Sequence, residues 1–400
     1  MPFQQLFLTV RRCRAQTLSN LPVLPKALFV CINFNKDPDF DALVGEGIAL
    51  VKSANYDILE TVVANKARVD PKFFIGSGKV EEIKSICNAL DVKTVIINHN
   101  LTSLQERNLE VELGLSVIDR TRLILEIFAS RVKSKDGVLQ VALATLSHQL
   151  SRLVRRWSHL ERQKGGIGLR GGPGETQMEL DKRMIREKII SLKKQLVLAV
   201  KQRHTMRQHR TKQNIFSASI VGYTNAGKST LFNTLTKSKV YVKDRLFATL
   251  ETTSRQLYLS PEVPGIVISD TVGFIRELPH TLVAAFRATL EETVHANLLL
   301  HIVDCADTLR DRQIDDVNLV LKEIKADNIP QLMVYNKIDL KPGFEPKISY
   351  TGEGNPGAVY VSATKRLGMD LLTQAIIEKI QYLEKNSEMH QEYVYEPWKQ

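Results

Sequence analysis

An apolar run, Ile215 to Val221, leads into Gly222-Tyr223-Thr224-Asn225-Ala226-Gly227-Lys228-Ser229 and then into a helix-like Thr230-Leu-Phe-Asn-Thr-Leu. A G-x-x-x-x-G-K-S run between a strand and a helix lets backbone N–H groups wrap a β-phosphate, because glycines keep side chains out of the way. Lys228 is then placed to bridge β- and γ-phosphate oxygens, and the Ser229 hydroxyl to ligate Mg2+.

Two later stretches extend this chemistry. Ile266 to Ser269 closes on Asp270-Thr271-Val272-Gly273, where an acid at the end of a buried strand can hold Mg2+ through water. The Gly273 N–H is placed to report on a γ-phosphate. Gln331 to Tyr335 closes on Asn336-Lys337-Ile338-Asp339. A carboxylate there accepts from N1–H and the 2-amino group of guanine, and adenine would leave it unpaired. Val359-Tyr-Val then leads to Ser362-Ala363-Thr364, a loop positioned to touch the guanine O6. The expected ligands are therefore GTP or GDP with Mg2+. A phosphotransferase acting on a small molecule is disfavoured, since no separate acceptor pocket is legible.

The elements that position these groups are those of an α/β protein. Residues 27–130 alternate short apolar runs (ALFVCINF, DILETVVA, TVIIN) with helical patterns at Lys79–Leu90, near Ser103–Leu113 and from Arg120, as in a small domain with a parallel sheet. Gly76-Ser-Gly-Lys79 lacks the earlier glycine of a phosphate loop, Phe73 standing in that place, and reads as a turn into a helix. Further along, Leu139, Leu143, Leu146, Leu150, Leu153, Trp157 and Leu160 form one helical stripe, and Ile185, Ile189, Leu192, Leu196 and Ala199 a second. Between them Gly165–Gly174 holds six glycines and a proline, which ends any helix. The expectation is an antiparallel helical hairpin with a flexible tip.

That hairpin is also where the charge sits. The chain carries +11 overall, yet residues 131–214 alone hold 20 Lys and Arg against 6 Asp and Glu. Arg152, Arg155, Arg156, Arg162, Lys164 and Arg170 approach the glycine-rich tip with Glu161 alone among them, which favours an RNA backbone as partner. The four scattered cysteines and nine histidines form no disulfide framework or zinc motif, which fits a reducing compartment. No apolar run approaches bilayer length, so membrane association has no support, and a cytoplasmic monomer is expected. Residues 1–26 contain no acid and read as a poorly ordered leader; organellar targeting is the alternative.

With these motifs in order, the chain resembles a translation-factor-class G domain. Asp270–Glu292 (DTVGFIRELPHTLVAAFRATLEE), Gly165–Glu179 (GGIGLRGGPGETQME), FFIGSGKVEEI and ERNLEVELGLSVIDRT are similar to signatures of the HflX family of ribosome-associated GTPases. The resemblance covers residues 27–383. It implies an N-terminal α/β domain (27–135), a basic helical hairpin (136–214) and a P-loop GTPase domain with a mostly parallel sheet (215–383), and leaves a leader (1–26) and a short tail (384–400) unexplained. It also implies docking on the large ribosomal subunit, with the glycine-rich tip reaching ribosomal RNA, in ribosome splitting, rescue or biogenesis. The competing expectation is a GTP-gated RNA-binding protein whose hydrolysis is incidental. Carried onto this chain, the switch I threonine falls at Thr249 within Phe247-Ala248-Thr249-Leu250, followed by Glu251, as a second Mg2+ ligand; spacing alone does not choose it over Thr252 or Thr253. Phe274 follows Gly273, where many small GTPases carry a water-orienting glutamine, so intrinsic hydrolysis is expected to be slow. The catalytic residue is unassigned, Arg276 and His280 being weak candidates.

Overall fold

The chain is described by a computed structural model over residues 24–34, 36–157, 177–212, 215–236, 246–247, 249, 252–259, 265–276, 290, 292–351 and 354–394. It divides into two compact units, the first reaching residue 199 and the second beginning at residue 200.

The first unit opens with β1 (Lys26–Phe34), α1 (Phe40–Ser53), β2 (Asp57–Lys66), α2 (Ser77–Leu90) and β3 (Thr94–Ile97). It continues with α3 (Ser103–Leu113), β4 (Ser116–Asp119), α4 (Arg120–Arg131) and α5 (Lys135–Trp157). The sheet order is β2-β1-β3-β4, all parallel. Ala27 to Ile32 are buried, as a central parallel strand covered on both faces requires. The helix ends follow local chemistry. Thr102 and Gln105 form a reciprocal capping box ahead of α3, and Gly114 closes it at φ 69°. The Asp119 carboxylate accepts from the Arg122 amide at the start of α4. Gly76 begins α2 without a side-chain cap, so the Gly-Ser-Gly-Lys run is the expected turn into a helix.

α5 packs on α3 and α4. The residues it buries most deeply include Gln140, Val141 and Ala144; on the opposite face Leu139, Leu143, Leu146, Leu150 and Leu153 are half-buried. The helix therefore has two shielded faces where its sequence announces one. α6 (Gln177–Lys212) buries Ile185 and half-buries Ile189, Leu192 and Leu196, while the residues between them are exposed, as the stripe predicts. The division between the two units falls inside this helix. Residues 158–176, where the glycine-rich tip is expected, lie outside the described residues.

The second unit holds β5 (Ser217–Gly222), α7 (Lys228–Thr236), β6 (Thr253–Leu257), β7 (Ile266–Asp270), β8 (Leu298–Asp304) and α8 (Arg310–Glu323). After these come β9 (Gln331–Asn336), a 3-10 turn (Ile338–Leu340), β10 (Lys347–Tyr350), β11 (Pro356–Tyr360) and α9 (Met369–Val394). The sheet runs β10-β11-β9-β8-β5-β7-β6, parallel in its five middle strands and antiparallel at both edges. α9 contributes Leu372, Ala375, Ile376 and Ile380 to a core with Ile220, Leu300, Ile302, Val334 and Val359. Because α9 runs on to Val394, the expected boundary between domain and tail at residue 383 cuts a continuous helix.

Candidate nucleotide-binding site

β5, β7, β8 and β9 end together at the carboxyl edge of the second sheet, and the loops that leave them carry the motif residues. The phosphate loop bends where the sequence allows it. Gly222 sits at φ 146°, where a Cβ would come within 2.3 Å of the Ile302 carbonyl oxygen. Gly227 sits at φ 93°, where a Cβ would come within 2.2 Å of Asn336 Nδ2. Asn225 adopts φ 63° between them. α7 begins at Lys228, so its first N–H groups face the loop with the positive end of the helix dipole.

Lys228 is buried, and its Nζ donates to the Tyr223 carbonyl oxygen at 2.6 Å. Burial pushes its ammonium down to about 8, opposed by the nearby Asp270 carboxylate. Three oxygens converge beside it. Ser229 Oγ donates to Asp270 Oδ2 at 2.8 Å, Thr249 Oγ1 donates to the same oxygen at 2.9 Å, and the two hydroxyls lie 2.6 Å apart. Thr249 is thus the threonine brought to the site, while Thr253 opens β6. Asp270 is fully buried, and burial raises its pKa against the opposing pull of Ser229, Lys228 and Thr249. Asp270 Oδ1 and Thr224 Oγ1 are buried with no hydrogen-bond partner among the described residues. A hard-oxygen triad with an unpaired carboxylate oxygen fits a small divalent cation.

The loops expected to read the base are tied together by Asn336. Its Nδ2 donates to the Ala226 carbonyl oxygen at 2.9 Å, and its Oδ1 accepts from the Ala363 amide at 3.0 Å. One side chain therefore ties the phosphate loop to the Ser362-Ala363 loop. Lys337, at φ 66°, pairs through Nζ with Asp304 Oδ2 at 2.7 Å. Asp304 was not signalled by a motif, yet it closes an apolar run, LLLHIVD, as Asp270 does. Ile338 is buried under the turn and Asp339 is exposed beside it. Ser362 and Ala363 are buried, Thr364 is exposed, and the Ser362 hydroxyl oxygen accepts from the Lys365 amide at 3.2 Å.

Phe274 is 2% exposed and offers no side-chain hydrogen bond. Thr271 is anchored through its hydroxyl to the Ile220 carbonyl oxygen at 2.6 Å, and Val272 is buried. Ala248, Leu250, Glu251 and His280 lie outside the described residues, as do Arg162, Lys164 and Arg170. Arg155 and Arg156 fall on α5, with their side chains outside the description.

Arg152 requires a correction. It was grouped with the RNA-facing cations, but its guanidinium turns into the first unit. Nη2 meets Asp119 Oδ2 at 2.5 Å, Nη1 pairs with Glu106, and Nε donates to His148 Nε2 at 3.1 Å. It fastens α5 to the α3–α4 layer and is not available to a phosphate.

Three stretches of the chain match described families: a GTP-binding GTPase N-terminal region over residues 42–129, a GTP-binding GTPase middle region over 131–210, and a 50S ribosome-binding GTPase over 217–337. The GTPase HflX of Escherichia coli is 48% identical over 355 residues, spanning 89% of this chain and 83% of that protein. The chain belongs to the HflX family of GTPases. The HflX of Magnetococcus marinus is 50% identical over 297 residues, 74% of this chain and 68% of that one. A GTP-binding protein from Sulfolobus solfataricus, solved in complex with GDP, is 25% identical, with 90% of this chain and 100% of that chain covered at a TM-score of 0.45. Guanine-nucleotide binding and GTP hydrolysis are the chemistry of the HflX family of GTPases to which this chain belongs.

Proposed function

We propose that this HflX-family chain is a GTP-driven switch that docks on the large ribosomal subunit and acts in splitting, rescue or biogenesis. The observation that supports this most directly is the concentration of the positive excess in residues 131–214, joined to a domain that matches a ribosome-binding GTPase family. The glycine-rich tip between α5 and α6 and the cations Arg155, Arg156, Arg162, Lys164 and Arg170 would carry the RNA contact. Arg152 would hold the hairpin's root.

At the nucleotide, Asp339 would accept from the guanine edge and Lys228 would neutralise the phosphates. Ser229 and Thr249, with Asp270 through water, would hold Mg2+. When bound, that ion would neutralise charge developing on the phosphates. The residue directly after Gly273, Phe274, is apolar and buried and cannot orient a nucleophilic water. Hydrolysis by the isolated protein is then slow, at or below roughly 10⁻² s⁻¹, and the ribosome completes the site.

Single-turnover GTP hydrolysis with and without purified large subunits tests this. A stimulation of about tenfold or more is expected, as when a partner supplies missing parts of a G-domain site. Binding to subunits with no stimulation would instead support a GTP-gated RNA-binding protein. Absence of binding at moderate salt would end the ribosomal reading.

A further inference from the structure

Beyond the ends of β5 and β7, the first turn of the phosphate loop and the segment after Gly273 run side by side. The Thr224 amide donates to the Phe274 carbonyl oxygen at 2.7 Å, and the Phe274 amide donates to the Gly222 carbonyl oxygen at 3.1 Å, an isolated parallel bridge. A third bond closes the arrangement from a side chain: the Arg276 amide donates to Tyr223 Oη at 2.9 Å. Tyr223 is 7% exposed, and the same residue's carbonyl oxygen receives the Lys228 ammonium. A Cβ on Gly273 would come within 2.9 Å of Lys228 Nζ and 2.8 Å of Thr224 Cγ2, so Gly273 is pressed against the residues that face the phosphates.

We infer that Tyr223 is a positioning residue: its hydroxyl latches the segment after Gly273 to the phosphate loop and so presets the Gly273 backbone for a γ-phosphate. The bridge at Phe274 fixes one point, about which the following chain can still pivot. The bond at Arg276 fixes a second point two residues on and removes that freedom. The second point matters here because Phe274 and Ile275 are buried apolar side chains. Together with Gly273, they offer a γ-phosphate or an attacking water only backbone groups, whose aim depends on how the backbone is held. GDP has no γ-phosphate and gains nothing from the latch. The preference for GTP over GDP, and the rate of the hydrolytic step, are therefore set in part by a phenol hydroxyl that touches neither nucleotide. The inference rests on GTP binding and not on the ribosomal reading.

Tyr223→Phe in the full chain tests it, since the ring and its packing remain and only the hydroxyl is lost. The dissociation constant for GDP should stay within about twofold of wild type. Affinity for a non-hydrolysable GTP analogue and the single-turnover hydrolysis rate should each fall about three- to tenfold, the scale of one lost hydrogen bond. Amide hydrogen exchange supplies a reading that a general packing role would not move. The Arg276 amide should lose protection while the Thr224 and Phe274 amides keep theirs. Equal weakening of GDP and the analogue, an unchanged ratio between them, or an Arg276 amide that stays protected would each overturn the latch. Failure of wild-type protein to bind guanine nucleotides would overturn the GTPase assignment instead, which is a separate result.

Discussion

Replacing Arg152 with alanine asks whether this cation belongs to the fold or to the RNA. Glu106 and Asp119 are 4% and 1% exposed at their side chains and face the guanidinium from α3 and from the end of β4. Without Arg152, Asp119 retains the Arg122 amide at 2.9 Å and the Leu101 amide at 3.4 Å. Glu106 retains an ion-pair contact with the Arg122 guanidinium, 4.0 Å away. One well-satisfied and one poorly satisfied buried carboxylate place the loss near the lower end of the ~3–5 kcal/mol expected for breaking a buried pair. For a unit of this size that corresponds to a fall of roughly 6–12 °C in the unfolding midpoint. Denaturation of the full chain, followed by hydrogen exchange to read α3, α4 and α5 separately from the second sheet, measures it. The paired change Glu106→Gln with Arg152→Met should recover most of the loss, because it removes the stranded charge. An Arg152→Ala protein of undiminished stability whose ribosome affinity drops with a shallower salt dependence would refute the reasoning and return Arg152 to the RNA-facing set.

Asp339→Asn should weaken GTP binding by roughly 2–4 kcal/mol and favour xanthosine triphosphate, measured by competition; undiminished GTP affinity would remove Asp339 from the base-reading role. Because burial holds Lys228 down at about 8, and a bound polyphosphate raises it again, the charged form that binds is complete below that pH and lost as pH rises through it. GTP affinity should fall about fourfold between pH 7 and 8.5, with proton uptake on binding seen by calorimetry in two buffers. His301 is pushed down to about 4, chiefly by burial, so the unfolded chain binds the extra proton between pH 4 and its ordinary value of about 6.5. Stability is full above that window and falls by ~3 kcal/mol as pH drops through it; His301→Gln should flatten that slope in acid unfolding curves. Gly227→Ala forces a Cβ onto Asn336 Nδ2 at an unfavourable φ, and should cost about 10- to 100-fold in GTP affinity while the first unit's unfolding midpoint stays put.

What the sequence made legible was chemistry held within one short stretch. The glycines, Lys228 and Ser229 declare themselves because the loop that uses them is local, and the α6 stripe at Ile185, Ile189, Leu192 and Leu196 because one helix face is shielded. α1 was missed: Gly45 and Gly47 dilute its helical pattern, and the structure shows why Gly47 is there, since a Cβ would come within 2.4 Å of the Phe29 ring. β4 and β10 are four residues each, too short to show a period. The role of Arg152 was illegible because its partner Asp119 is 33 residues away and the fold alone brings them together. Its helix also hides a face with Gln140, Val141 and Ala144 behind a conspicuous leucine one. Asn336 was read as part of a guanine motif, and nothing in the sequence says that it also holds a phosphate-loop carbonyl.

That last contact has a bearing on how nucleotide leaves. The loops proposed to read base and phosphates come from distant parts of the chain, and they share Asn336 as a common fastener. With a nucleotide held as proposed, neither of its ends would relax while the other stayed in register. Release is then closer to a single all-or-none opening than to a sequence of half-detached states. A partner that speeds exchange does not have to compete for base and phosphates separately: pulling β9 and its terminal amide a short way out of place would undo both grips in one movement.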